Sequence, residues 1–199
     1  MSLIEDVQAA EVALAELGPL PYVLPLGPLA PLVAGAFSGA SRADWVVCGP
    51  RERVGAVLRG CGLDRLVDAA AGARPYKLAP TSGAPGARAL HAVGLAMATE
   101  TRVLCILGDA STAAGAFHEA LNAAVLVGAS VTFLVVHQPL TDDAPVGTQL
   151  ATSPAKLAAA FGIPVTEIAA AEDAVRDAVA AARDVDGPAF IQATLTRAR

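Results

Sequence analysis

Aromatic side chains make up only 4% of this chain: one tryptophan, two tyrosines and five phenylalanines in 199 residues. That scarcity does not suit an aromatic-lined binding groove. Basic charge is also thin, with 14 Lys and Arg against 19 Asp and Glu, a net charge of −5 and a pI near 5.1. A nucleic-acid partner would ask for a basic patch, and a membrane surface for a cluster of Lys and Arg; neither is present. The three cysteines, Cys48, Cys61 and Cys105, lack CxxC spacing, and an odd, scattered set suits a reducing compartment. The opening "MSLIEDV" carries acids where a secretory leader would carry bases, so a cytoplasmic location is expected. From Leu17 to Ser41 there are 25 residues without a charge, long enough to span a bilayer. Pro19, Pro21, Pro25, Pro28 and Pro31 argue against a spanning helix. Residues 18–41 are therefore expected to be an irregular, Pro-rich segment packed on its own domain or on a partner.

What the chain does have is small apolar mass: it is 54% hydrophobic, with a mean hydropathy of +0.52, mostly Ala, Val and Leu. Its length suits one domain, residues 1–199, with a substantial core. Helical spacing predicts a helix over 3–17, ended by Gly18-Pro19. Residues 44–48 read as a short strand, 51–72 as one or two short helices broken near Gly60–Gly62, and 75–86 as loop. A helix over 87–100 is expected to be buried on most faces. Then units alternate: strand 102–107, helix 115–128, strand 130–136, a helix ending at 162 that Ser153 caps and Pro154 opens, a short "PVTEI" strand, helix 172–183 and strand 189–195. Continuous apolar strands between helices predict an α/β three-layer sandwich, with a mainly parallel sheet of five or six strands covered on both faces.

The stretch "LCILGDASTAAGAFHEALNAA" (104–124) places one carboxylate, Asp109, where a buried strand ends and a helix is about to begin. Ligands of such sheets bind outside the carboxyl ends of the strands. Gly108 lets the backbone turn, Ala110–Ala114 allow close approach, and the helix start offers free N–H groups to an anion. A carboxylate beside an anion site makes sense with Mg²⁺ between them. The next strand would deliver His137 or Gln138 to the same edge. The residues alone leave the alternative standing: an Asp after a strand is also an ordinary helix cap.

The longer run "GDASTAAGAFHEALNAAVLVGASVTFLVVHQ" resembles the Gly-Asp-Gly…Asn-Asn motif of thiamine-diphosphate enzymes. More narrowly it is similar to the alpha subunit of the 2-oxo acid dehydrogenase first component. "ADWVVCGPRERVGAVLRG", "SGAPGARALHAVGLAMA" and "DGPAFIQATLTR" resemble further segments of that family, in the same order. The resemblance implies a thiamine-diphosphate-binding fold. It also implies a Mg²⁺ ligand set of Asp109, Gln138 and the carbonyl of Leu140, and cofactor contacts from Arg51, Gly83, Pro85, Gly108, Ala110 and Ser111. The ligand edge would comprise 83–86, 108–114 and 137–140. It further implies a small 2-oxo acid substrate. A beta-type partner would carry the activating glutamate, in an alpha-beta heterotetramer or a dimer-based assembly, so that the chain alone is inactive. The Pro-rich segment and the 115–128 helix are the interface candidates.

The chain departs from the pattern at Pro50 (Tyr in the family), Ala110 (Gly), and His137 and Gln138 (both Asn). These departures motivate a second reading, a degenerate relative kept for subunit association or regulation. The chain's length motivates a third, the short subunits of sulfopyruvate-type decarboxylases. Among other polar residues, Ser111 and Thr112 would either donate to a diphosphate or cap. His118, Glu119 and Asn122 read as helix surface or interface, His91 as a packing histidine, and Asp142-Asp143 as a solvated loop.

Overall fold

Five apolar runs pair side by side, all parallel: β1 (Trp45–Val47), β2 (Val103–Gly108), β3 (Val131–His137), β4 (Val165–Ala169) and β5 (Ala189–Thr194). Their order across the sheet is β1-β2-β3-β5-β4. This is a computed structural model, and it describes residues 2–17, 26–67, 72–81, 84–138 and 146–195. The α-helices among these are α1 (Leu3–Glu16), α2 (Ala30–Gly39), α3 (Leu63–Leu66), α4 (Ala87–Thr99), α5 (Gly115–Val127), α6 (Pro154–Ala160) and α7 (Glu172–Ala181).

Period-two alternation splits each central strand between two cores. Val103, Cys105 and Leu107 of β2 pack with Ala89, Ala92 and Val93 of α4 and Phe117 and Leu121 of α5. Leu104 and Ile106 face the opposite way, toward α1, α2 and α7. The chain thus forms the expected three-layer α/β sandwich, with five strands described. α5 carries the chain from β2 to β3 on one face, and α7 carries it back from β4 to β5 on the other. Right-handed crossovers require this change of face when the direction across the sheet reverses.

Several ends follow from local chemistry. Ser2 and Glu5 form a reciprocal capping box at the start of α1, and Ser153 caps α6 with Pro154 in its first turn. The helical expectation for 51–72 resolves into a 3-10 segment, Glu52–Arg59, ended by left-handed Gly60 and followed by α3. Arg59 closes that segment as a buried clamp, donating to the carbonyls of Asp44 (2.8 Å), Ser41 (3.1 Å) and Tyr76 (3.2 Å). Asp44 itself is buried and accepts from the Ser41 N–H and from Arg183 Nε.

Two expectations fail. The Pro-rich stretch is not irregular throughout. Residues 18–25 lie outside the described residues, but α2 is a fully formed, almost wholly buried helix. Pro31 sits in its first turn, where no intrahelical N–H bond is lost. The segment does pack on its own domain, as anticipated, against α7. Second, α4 is buried along one stripe only; Leu90, His91 and Met97 are exposed. Among the described residues no helix is long and apolar enough to cross a membrane.

The contact of α2 with α7 depends on two glycines. A Cβ on Gly35 would strike the Glu172 carbonyl and come within 2.9 Å of Val175 Cβ; one on Gly39 would strike the Arg176 carbonyl and come within 3.0 Å of Val179 Cβ. Alanine elsewhere in a helix is favoured over glycine by about 1 kcal/mol. Here overpacking reverses the sign, and Gly35→Ala is expected to cost about 1–3 kcal/mol by urea denaturation. A second prediction concerns pH. Burial pushes the Cys105 thiol up to about 12. Burial, helped by the Glu52 carboxylate, pushes Cys48 higher still. Below the ordinary thiol value of about 8.5 both folded and unfolded chains keep these protons. Above it only the unfolded chain releases them, so stability falls as pH rises toward 12. Cys105→Ala should flatten the fall of the urea midpoint between pH 8 and 10.

Candidate functional site

Asp109 stands one residue beyond β2, and the β2–β3 register pairs Gly108 with Val136, so His137 and Gln138 arrive beside it. Its carboxylate is held from three sides. Oδ1 accepts the Ala110 N–H at 2.8 Å, and Oδ2 accepts the Gln138 N–H at 2.8 Å and lies 3.0 Å from His137 Nδ1. The two side chains are only 13% and 19% exposed. His137 is fixed in turn, because it ends β3 opposite Thr194 of β5 and its carbonyl accepts the Leu195 N–H at 3.0 Å.

Behind Asp109 the chain makes one 3-10 turn, Asp109–Ala113, before α5 begins. Thr112 is completely buried, and its hydroxyl donates to the Asp109 carbonyl at 2.6 Å. Thr112 thus braces the turn and does not cap α5, whose start has no side-chain cap. His118 Nε2 lies 3.0 Å from the Thr112 carbonyl, bracing the same turn from α5; Glu119 and Asn122 are exposed on that helix, as expected. Ser111 is half-buried, and Gly108 and Ala110 are exposed.

The N-terminus of α4 abuts this turn. A Cβ on Gly86 would lie 2.5 Å from Ala114 Cβ and 3.4 Å from the Ser111 carbonyl. Neither α4, after Gly86, nor α5, after Ala114, has a side-chain N-cap. Two helix starts without side-chain caps thus meet beside one carboxylate; of their first-turn N–H groups, that of Ala87 donates to the Ala84 carbonyl, that of Arg88 to the Pro85 carbonyl and that of Phe117 to the Ala114 carbonyl. Gly83, Leu140 and the Asp142-Asp143 loop lie outside the described residues.

Arg51 is not brought to Asp109. It lies beside α1, sharing a small hollow with Glu11, Leu14, Pro50 and Leu66, and no hydrogen bond or ion pair joins it to the carboxylate. His91 is not a packing histidine. With Val47, Ala79, Pro80, Thr81 and Leu95 it lines an open cleft of about 360 Å³ alongside β1, within the size range of small-molecule sites. The available signal for that cleft was the i, i+4 pair His91 and Leu95 downstream of a loop.

The donor chemistry fits a divalent cation. The carboxylate is held by two backbone N–H groups, one on each oxygen, as ligating carboxylates commonly are. An imidazole nitrogen stands 3.0 Å away, and an amide side chain occupies the next position. Small exposed residues leave the approach clear, since a Cβ on Gly108 or Gly115 would meet nothing within 4 Å. Among the described residues no three His, Cys, Asp or Glu side chains cluster, so any cation here completes its shell with other oxygens.

Residues 52–199 match the model of the family described as "Dehydrogenase E1 component". Over 130 residues the chain is 35% identical to the 3-methyl-2-oxobutanoate dehydrogenase subunit alpha of Mycobacterium tuberculosis, in each of two strains; the match covers 60% of this chain and 35% of the relative. Among solved structures it is similar to transketolase from Campylobacter jejuni (TM-score 0.74, 18% identity, 96% of this chain and 36% of that one). It is also similar to transketolase from Leishmania mexicana (TM-score 0.72, 16% identity, 98% and 37%). The fold is a parallel α/β domain shared with these transketolases. The chain belongs to the dehydrogenase E1 component family and spans about a third of the length of these relatives.

Removing the carboxylate orphans two backbone donors and the imidazole at once. Asp109→Ala is therefore expected to lower stability by about 1–3 kcal/mol, read from thermal or urea unfolding of the chain alone.

Proposed function

We propose that this chain is the alpha-type subunit of a 2-oxo acid dehydrogenase or decarboxylase, contributing the diphosphate end of a thiamine diphosphate site to an assembly with a beta-type subunit. The observation that carries this is the Asp109 carboxylate, held at the carboxyl ends of two adjacent parallel strands beside two uncapped helix starts. Asp109 and Gln138 would hold the cation. The N–H groups opening α4 and α5 would receive the diphosphate, with Gly86 allowing the two helices to start in contact. The family's Mg²⁺ is the reference cation, and the Leu140 carbonyl is the family's third ligand. The chemistry the cofactor supplies when bound is stabilisation of the carbanion left when a 2-oxo acid loses carbon dioxide.

The need for a partner is supported by large apolar side chains exposed on two helices. Leu126 of α5 is 75% exposed and Met97 of α4 is 57% exposed, both near the ends of their helices away from Asp109, and Leu90, Val125 and Val127 are exposed as well. No described side chain near Asp109 offers a second carboxylate, which suits a division of labour in which the activating glutamate comes from the partner.

One observation favours the alternative of a non-catalytic family member. The Asp109 carboxylate accepts two backbone N–H groups and touches an imidazole, a set of partners that gives it a structural role in the turn. Calorimetric titration of thiamine diphosphate with Mg²⁺ or Co²⁺ separates the two readings, using the full chain alone and co-expressed with a beta-type subunit. The alpha-type reading expects binding in the assembly, weakened at least about tenfold by Asp109→Asn, and no turnover by the chain alone. Absence of binding in every pairing overturns it and leaves the scaffolding role.

A further inference from the structure

We infer that His137 is a metal ligand, and that this chain's cation site therefore favours a divalent metal that accepts nitrogen over Mg²⁺. The inference deepens the cofactor reading by assigning the identity of its cation; its test uses metal alone, so that each can fail separately.

The first ground is position. His137 is the last residue of β3, with its backbone fixed by pairing to Thr194 and by the Leu195 N–H. Its Nδ1 is 3.0 Å from Asp109 Oδ2. The two groups are joined here by a hydrogen bond, and about 3.0 Å is also the spacing of neighbouring ligands with bonds of about 2.1 Å. An imidazole that turns its Nδ1 lone pair toward the space beside the carboxylate would therefore reach the same cation as Asp109.

The second ground is what holds the carboxylate. Oδ2 also receives the Gln138 N–H and Oδ1 the Ala110 N–H. These fix the carboxylate whether or not the imidazole donates a proton to it, so His137 can exchange a hydrogen bond for a metal bond without collapse of the turn. Thr112 and His118 brace that turn independently.

The third ground is chemical selectivity. Mg²⁺ is a hard cation that takes oxygen ligands and keeps several waters. Imidazole suits Zn, Cu, Fe and Ni, whereas carboxylate, carbonyl and water suit Mg and Mn. An Asp-His pair followed by an amide is a mixed nitrogen-oxygen set. It gives Mg²⁺ only the carboxylate and the Gln138 oxygen, while a borderline metal gains the imidazole as well.

Every N/O site binds Co²⁺ more tightly than Mg²⁺, so the test must be differential. The full chain is titrated with Co²⁺ and, separately, with Mg²⁺ in competition, in the presence and absence of inorganic pyrophosphate. Visible absorption of the bound Co²⁺ is the readout. His137→Asn is expected to weaken Co²⁺ at least tenfold and to shift its absorption bands, while changing Mg²⁺ affinity less than twofold. Asp109→Asn should weaken both. The inference is overturned if the wild-type chain binds no Co²⁺ under either condition, or if His137→Asn leaves Co²⁺ affinity and spectrum unchanged. It is equally overturned if that variant weakens both metals alike, which marks a structural role, or strengthens both, which marks the imidazole as a plug.

Discussion

The five described strands run in the same direction and the central ones, β2, β3 and β5, are covered on both faces, so most polar side chains stand at the two rims; Thr132 and Gln192 are buried exceptions, and the edge strand β4 is open to solvent. Burial on the faces is nearly complete: Val103, Cys105, Ile106, Val131, Phe133 and Leu134 have no exposed surface. The two rims are then used differently. At the amino-terminal rim Arg59 ties loops together through backbone carbonyls, and the Asp44 carboxylate does so by accepting from the Ser41 N–H and Arg183 Nε. Burial lowers the Arg59 pKa, opposed by Asp44, and each of its carbonyl contacts offsets part of that desolvation. At the carboxyl-terminal rim a single carboxylate gathers backbone and imidazole donors from two strands. One rim is a structural clamp; at the other, two helix starts without side-chain caps stand beside the carboxylate.

The density of small residues serves the same geometry. Where Gly35 and Gly39 meet α7, backbone touches backbone, and where Gly86 meets Ala114, two helices begin in contact. Larger residues at these positions would thicken the layers and draw the helix starts away from Asp109. The alanine-rich composition that excludes an aromatic groove is thus also what allows two helices to begin against one turn.

Much of this was legible in the sequence. Strand and helix alternation, the cap at Ser153, and the place of Asp109 after β2 follow from periodicity and short-range rules. α2 was missed because five prolines dominate its surroundings, although a proline confined to the first turn is no obstacle to a helix. The clamp at Arg59 was invisible because its partners are backbone carbonyls, which carry no sequence signature. Arg51 went to the α1 side because the 3-10 segment from Glu52 sets the direction of its side chain, and a motif match carries no such information. His91 was taken for a packing residue on the apolar character of its helix, yet only one stripe of that helix meets the sheet.

His137 shows what residue-by-residue comparison with a family pattern leaves out. Read as a replacement for asparagine, it appears only as a loss, one of several departures around Asp109. Placed in the β2–β3 register, it stands in contact with the carboxylate, held by the strand on its other side. Ala110, the departure nearest the motif aspartate, is exposed and takes no part in holding the carboxylate except through its backbone N–H. The departures therefore do not weigh equally. Ala110 leaves the geometry of Asp109 as the backbone dictates, whereas His137 changes which atoms surround it. A parallel sheet transmits register rigidly from strand to strand, so a side chain at the last residue of β3 is positioned as firmly as the core behind it. A new donor introduced there alters the chemistry of the site without requiring any adjustment of the fold.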